Sequence, residues 1–224
     1  MRRYQAAPKK QAGFTLVEIA IVLVIIGLLL GGVLKGQELI NSAKVKNLGN
    51  DFRGIAAAIY AYQDRFRALP GDDRAADVHL NGTLAAAANR GNGRINGDFD
   101  STNPADESYL VWHHLRLASL ITGNPVFTGA AANDYIPRNA EGGTIGVTGD
   151  PVLTAPTTAY PGNFFACSRG IQGRYARQLD TAMDDGNTTT GSIRTIADNV
   201  ASQADATAVG PAQDANLYTV CMSF

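Results

Sequence analysis

The run FTLVEIAIVLVIIGLLLGGVL at 14–34 constrains this chain more than any other feature. Sixteen of its 21 residues are apolar, three are Gly, and only Thr15 and Glu18 are polar. At about 1.5 Å per residue it makes roughly 31 Å of helix, enough to cross a hydrocarbon core of about 30 Å. Ahead of it stands MRRYQAAPKKQAG, with Arg2, Arg3, Lys9 and Lys10 and no acidic residue. A basic flank on that side predicts a cytoplasmic N-terminus, with the rest of the chain beyond the membrane. A secretory signal peptide has a similar outline. Its apolar core is shorter, about 7–15 residues, and a small-residue cleavage site follows it. Here the run is longer, and LKGQELINSAKVKN follows as helix-like, charged sequence.

Glu18 does not suit a plain anchor. A carboxylate inside an apolar span costs several kcal/mol and marks function. No Lys or Arg lies within one helical turn of it, and Lys10 is on the far side of Gly13. One reading is a side chain that snorkels to the headgroups. Another is a partner made by cutting between Gly13 and Phe14. The new α-amino group could then reach Glu18 of a neighbouring helix displaced by about one turn.

Gly13-Phe14-Thr15-Leu16-Val17-Glu18, after a short basic leader and before an unbroken apolar stretch, resembles the class III signal of type IV prepilins and type II secretion pseudopilins. The resemblance is strong over 9–40 and weaker beyond. It implies that a membrane prepilin peptidase cuts after Gly13 and N-methylates Phe14. It also implies that Glu18 pairs with the Phe14 amine of the next subunit during assembly. The implied partners are that peptidase/methyltransferase, other pilin or pseudopilin subunits, and the bacterial inner membrane before assembly. Many pilins carry a Pro near the position of Lys35. This chain has Gly31, Gly32 and Gly36 instead, each weakening a helix by about 1 kcal/mol relative to Ala, so melting there stays open.

Beyond the span, apolar residues recur at Val45, Leu48, Phe52, Ile55, Ile59, Tyr62, Phe66 and Leu69. Alternating steps of three and four make one face of a helix, and Pro70-Gly71 should stop it. A free coiled coil is the alternative, but the residues that follow need a helix to pack on. The division expected is a cleaved leader at 1–13, a transmembrane or filament-core helix at 14–36, its amphipathic continuation at 37–69, and an extracytoplasmic head at 70–224. The fold class expected is α+β and pilin-like, a long N-terminal helix packed on a head with a small antiparallel sheet.

Within the head, 70–105 reads as loops. A second helix is expected at about 104–121, with Asn103 as N-cap, Pro104 at its first position and Gly123 after its end. Strands are expected at 144–154, 163–168 and the tail LYTVCMSF, with a short helix at 175–185. Cys167 and Cys221 are the only cysteines. An extracytoplasmic head favours a bridge between them, as related pilins use near the C-terminus; two free thiols are the alternative. Such a bridge closes a loop worth roughly 4 kcal/mol.

Composition narrows the function. With 19 Lys+Arg against 20 Asp+Glu the chain is formally −1, and loss of the leader's four basic residues leaves 15 against 20, or −5. No basic excess is available to neutralise phosphates, so no nucleic-acid partner is predicted, although Arg169, Arg174 and Arg177 form a local basic group. Residues 92–100 (NGRINGDFD) set oxygen side chains at alternate positions. They lack the EF-hand Glu and contain Arg94, so a plain Asx-turn is the reading and calcium the alternative. Asp184-Asp185-Gly186 is a second acidic turn. No catalytic motif is present, and GTIGVTG at 143–149 has Gly at every third position rather than a nucleotide-loop pattern. His79, His113 and His114 read as surface or interface residues, and Trp112 as a core or interface anchor. No cofactor and no catalytic residue are expected. The function expected is a structural pilin or minor pilin of a type IV pilus. A secretion or competence pseudopilin is the alternative, and an unprocessed anchored binding protein the second.

Overall fold

A computed structural model of the 224-residue chain describes residues 15–127, 135–150, 160–198 and 205–224. The chain falls into two compact units, Met1–Ser42 and Ala43–Phe224. Helix α1, Leu16–Phe66, contributes to both.

In the first unit no described residue is buried, and Leu16, Leu28 and Leu34 are among the most open apolar side chains. The helix is continuous through Gly31, Gly32 and Gly36. A Cβ at any of these three would meet nothing within 4 Å. Lys35 and Glu38 form an exposed ion pair at 2.6 Å, three residues apart on the helix surface.

In the second unit the seam is buried as its spacing predicts. Val45, Leu48, Phe52, Ile55, Ile59, Tyr62 and Leu69 lie in the core, with Phe66 packed at its margin. The helix does not reach 69. It ends at Phe66, and Arg67 turns into the left-handed region at φ 54° with its N–H on Gln63 O. Pro70 has no N–H to give the Phe66 carbonyl, four residues back, and its ring crowds that carbonyl, so the stop signal acts upstream of Pro70 itself. Leu69 reaches the core from the following turn.

Helix α2 is short, Ala76–Leu80, in a stretch that reads as loop from sequence. Helix α3 runs Glu107–Leu117 rather than 104–121. Asn103 accepts from Ala105 N–H at 3.1 Å and so closes a local turn instead of capping the helix. Asp106 takes the N-cap position, its carboxylate already held by Ser101 Oγ and Asn103 Nδ2 at 2.6 and 2.8 Å. At the other end Ser119, not Gly123, supplies the left-handed residue. Helix α4 is Gly173–Met183.

The sheet has four antiparallel strands in the order β1-β2-β4-β3: Ile145–Thr148, Phe165–Gln172, Leu217–Ser223 and Ile193–Ala197. Both faces are covered. One face carries Ile145, Val147, Ala166, Ile171, Ile193 and Val220. It packs in one core with the α1 seam, with Val111, Trp112 and Leu115 of α3, and with Tyr175 and Leu179 of α4. The other face carries Phe165, Cys167, Ile196 and Cys221 beneath Phe99 and Tyr160. A sheet buried twice loses the polar–apolar alternation that reveals strands, and β3 escapes a sequence reading for that reason. The spacing of glycine at 143–149 also has a physical cause. A Cβ at Gly146 would stand 1.7 Å from Phe99 O, so the 95–99 segment lies directly on β1. Part of the predicted strand 144–154 falls outside the described residues.

Cys167 and Cys221 are disulfide-bonded. They sit directly opposite each other in the β2/β4 register, with Cα atoms 4.0 Å apart. Tyr160 lies over this region and its hydroxyl donates to Cys221 O at 2.6 Å and to Ser192 O at 3.0 Å.

Candidate functional site

The N-terminal turn of α1 carries the residues singled out from sequence. Gly13 and Phe14 lie outside the described residues. Glu18 is described, and it has a partner that sequence reasoning missed. Thr15 N–H and Thr15 Oγ1 both donate to Glu18 Oε2 at 2.8 Å, while Glu18 N–H donates to Thr15 Oγ1 at 3.2 Å. This is a capping box, with the side chain of each end residue satisfying the backbone N–H of the other. The first N–H groups of a helix have no partner within it, and inside lipid no water is available to supply one. A carboxylate in the first turn also suits the positive end of the helix dipole. The signal is present in the sequence as Thr-x-x-Glu before an apolar run. Both side-chain contacts of the box use Oε2, and among the described residues no hydrogen bond uses Oε1.

Of the three histidines, read from sequence as surface or interface residues, His79 is exposed. His113 and His114 are buried. Their neighbours explain it: His114 faces the 70–83 loop through Gly71 and Thr83, and His113 lies against Phe127 and Tyr135. His114 Nδ1 accepts Gly71 N–H at 2.9 Å and Nε2 faces Thr83 O at 2.8 Å, which uses the neutral ring as a brace. Burial pushes its pKa down. Burial, and then the neighbouring His114, press His113 down to about 4. His79 Nδ1 stands 2.7 Å from Asp73 Oδ2, which also accepts the Tyr62 hydroxyl at 2.8 Å. Burial opposes the Asp73 charge, but hydrogen bonds from His79, Ala75 and Tyr62 prevail and hold its carboxyl below the usual range. These contacts tie the end of α1 to the loop that follows. Trp112 is in the core as expected.

In the 92–100 segment Asn92 Oδ1 accepts Arg94 N–H at 2.8 Å, an Asx-turn. The N–H groups of Gly91, Asn92 and Gly93 converge on the Asp72 carboxylate. Nearby, Glu107 is buried, with Oε2 accepting Asn96 N–H at 2.7 Å. Burial raises its pKa to about 7, with Asp72 and Asp150 pushing the same way. The arginines of the local basic group are engaged. Arg169 pairs with Asp100 at 2.5 Å and Asp198 at 3.5 Å, Arg177 pairs with Asp214, and Arg174 lies over Tyr175.

A cluster only partly visible in the sequence closes the C-terminal end of α4. One carboxylate oxygen from each of Asp180, Asp184 and Asp185 lies within 4.8 Å of the others. Asp180 is fully buried, and burial raises its pKa to about 6.

Helix α1 is long and apolar enough to cross a membrane, and none of its apolar window is buried. Residues 8–34 match the prokaryotic N-terminal methylation motif, the class III signal of type IV prepilins and pseudopilins. The motif covers 27 of the 224 residues and supports a precursor of the type IV pilin or pseudopilin kind. It implies processing by a prepilin peptidase, assembly with other such subunits, and a structural role. No curated protein and no solved structure matches the chain.

Proposed function

We propose that this chain is a structural subunit of a type IV pilus-type filament, with a minor or specialised place in it. The prepilin is held in the inner membrane by its apolar helix, head outward. The peptidase cuts between Gly13 and Phe14, removes the four leader cations and methylates the new Phe14 amine. That amine is drawn to Glu18 of a neighbouring subunit, and the apolar helices pack together. Outside the lipid, burial worth roughly 25 cal/mol per Å² relative to water then holds the packed helices together. The observation that carries this reading is the capped Glu18 at the head of an unburied apolar helix, within the matched motif. Thr15 occupies Oε2, so Oε1 is the atom assigned to the incoming amine. The size of the head, about 155 residues, favours a specialised place over the repeated shaft.

Mass spectrometry of the N-terminal peptide from protein made in its own envelope tests the first step. A peptide beginning at Phe14 with one added methyl group is expected. A chain still beginning at Met1 sinks the reading. For the second step, Glu18→Ala should be cleaved normally and enter sheared filaments at a small fraction of wild-type level. Entry at the wild-type level would refute the pairing.

A further inference from the structure

Glu107 and His114 stand about two turns apart on α3 and share one face of it. Both are buried. That face grips two consecutive residues of the turn after α1, Gly71 and Asp72. His114 Nδ1 accepts Gly71 N–H at 2.9 Å, and Nε2 donates to Thr83 O at 2.8 Å. A carbonyl only accepts, so the ring is in its neutral Nε2–H form. A second proton, on Nδ1, would set a donor against the Gly71 donor. Gly71 is held close against α3, since a Cβ there would stand 2.4 Å from Glu107 O.

Glu107 works in the opposite sense. Its Oε2 accepts Asn96 N–H at 2.7 Å, and no donor reaches its buried Oε1. The Asp72 carboxylate faces it, also buried and already taking the N–H groups of Gly91, Asn92 and Gly93. Three N–H donors favour a charged carboxylate, so Asp72 is the ionised member and the proton belongs to Glu107. Losing it would put two buried negative charges face to face. The segment gripped in this way covers β1. Gly149 N–H donates to Ile95 O at 2.6 Å, Thr148 Oγ1 donates to Gly97 O at 2.7 Å, and Ile95 is fully buried.

The other charged neighbours modulate each hold. Asp150 adds to the repulsion on Glu107, while Arg94 is turned to Asp150 at 3.8 Å and Arg74 packs on Gly91. Tyr62 stacks on His114 at 6.2 Å. Asp73 favours a charge on that ring but is engaged by Tyr62 and His79, and His113 opposes it. Burial dominates at both ends, raising Glu107 to about 7 and lowering His114 below 6.5. The hold through Glu107 is therefore lost as pH rises through about 7. The hold through His114 is complete above 6.5 and lost as pH falls through its lowered value.

We propose that this face of α3 is a two-sided pH latch. Residues 71–97 lie closed on it only while Glu107 carries its proton and His114 carries one proton rather than two, and they open locally on either side of that window with the sheet intact. The inference concerns the head alone and stands whether or not the chain enters a filament.

The test follows amide exchange by mass spectrometry on the full-length chain in detergent micelles, at about pH 4, 6.5 and 8.5, corrected for intrinsic rates. Protection of peptides within 71–97 should be greatest at the middle pH and fall about tenfold or more at each extreme, one pKa unit being worth tenfold. Peptides from β2 and β4 should change little. Glu107→Gln should remove the alkaline limb alone. His114→Gln, neutral with one acceptor and one donor, should remove the acid limb alone. Asp150→Asn, at a half-exposed side chain, removes a charge that raises Glu107 and should move the alkaline limb to lower pH, which keeps the test open if the buried variants fail to fold. Wild-type protection that is flat or changes in one direction only across this range overturns the proposal. So does loss of sheet protection together with the loop, or an alkaline limb unmoved in Asp150→Asn.

Discussion

Residues 16–42 and residues 43–224 solve the same problem in opposite ways. In the first stretch the backbone is satisfied within the helix and the capping box closes its start, yet not one side chain is buried. In the second, the apolar seam of α1, three further helices and both faces of the sheet bury one another. The lesson is that stability resides in different places. The head carries its own core. The apolar stretch has hydrogen bonds but no core, and only lipid or other copies can supply one. Any perturbation should therefore sort into an effect on folding of the head or an effect on anchoring and assembly, and rarely both.

Removing the disulfide should give the largest separation. Cys167→Ala/Cys221→Ala should destabilise the head by roughly 4 kcal/mol, from the loop of 54 residues it closes. Denaturant unfolding of the full chain in micelles measures this, and cleavage at Gly13 should stay normal. Impaired cleavage in a membrane-inserted variant would blur the division between head and span.

A matched pair of leucines comes next. Leu48 is 0% exposed and Leu28 is 73% exposed. Leu48→Ala should cost about 2–5 kcal/mol of head stability. Leu28→Ala should leave head unfolding within about 0.5 kcal/mol of the parent and instead reduce filament yield. Equal unfolding shifts would break the comparison.

A pH effect should be confined to the head and smaller. Glu107 has its pKa raised from 4.5 to about 7, mainly by burial. The folded state therefore holds its proton more tightly than the unfolded one. Its contribution is fully present below pH 4.5 and is lost as pH rises through about 7. After allowance for solvent screening the loss is about 1–3 kcal/mol. Unfolding curves between pH 4.5 and 8 should flatten in Glu107→Gln, and an unchanged slope would discount this group.

The smallest effect belongs to the helix start. Thr15→Ala removes both of its hydroxyl contacts with Glu18 and should cost about 0.5–2 kcal/mol of local helix stability. Faster amide exchange in the first turn, with the head unchanged, is the expected signature.

The legibility of the chain follows the same division. The span, the motif and the seam are readable because their signals are periodic or compositional. The strands around the disulfide show themselves through aromatic and β-branched content near Cys167 and Cys221. Ile193–Ala197 does not, since Arg194 and Thr195 are buried in a sheet covered on both sides. The start of α3 is misplaced from sequence because Asn103 and Asp106 compete for the same capping role and local turn bonds decide between them. At the site, Glu18 stands out while its Thr15 partner does not, although three residues of separation announce it. The aspartates at the end of α4 split in the same way. The turn at Asp184-Asp185 is visible in the sequence, while Asp180, four residues before Asp184, joins them only once the helix forms.

The order of the sheet has a kinetic consequence. β4 is the latest of the four strands along the chain, yet it lies between β2 and β3 and pairs with both. As the polypeptide is made, β2 and β3 emerge before the strand that joins them, and Cys167 waits 54 residues for Cys221. Folding of the head is therefore a closing step rather than a growing one. Until β4 arrives, the edges of β2 and β3 that it pairs with stay open.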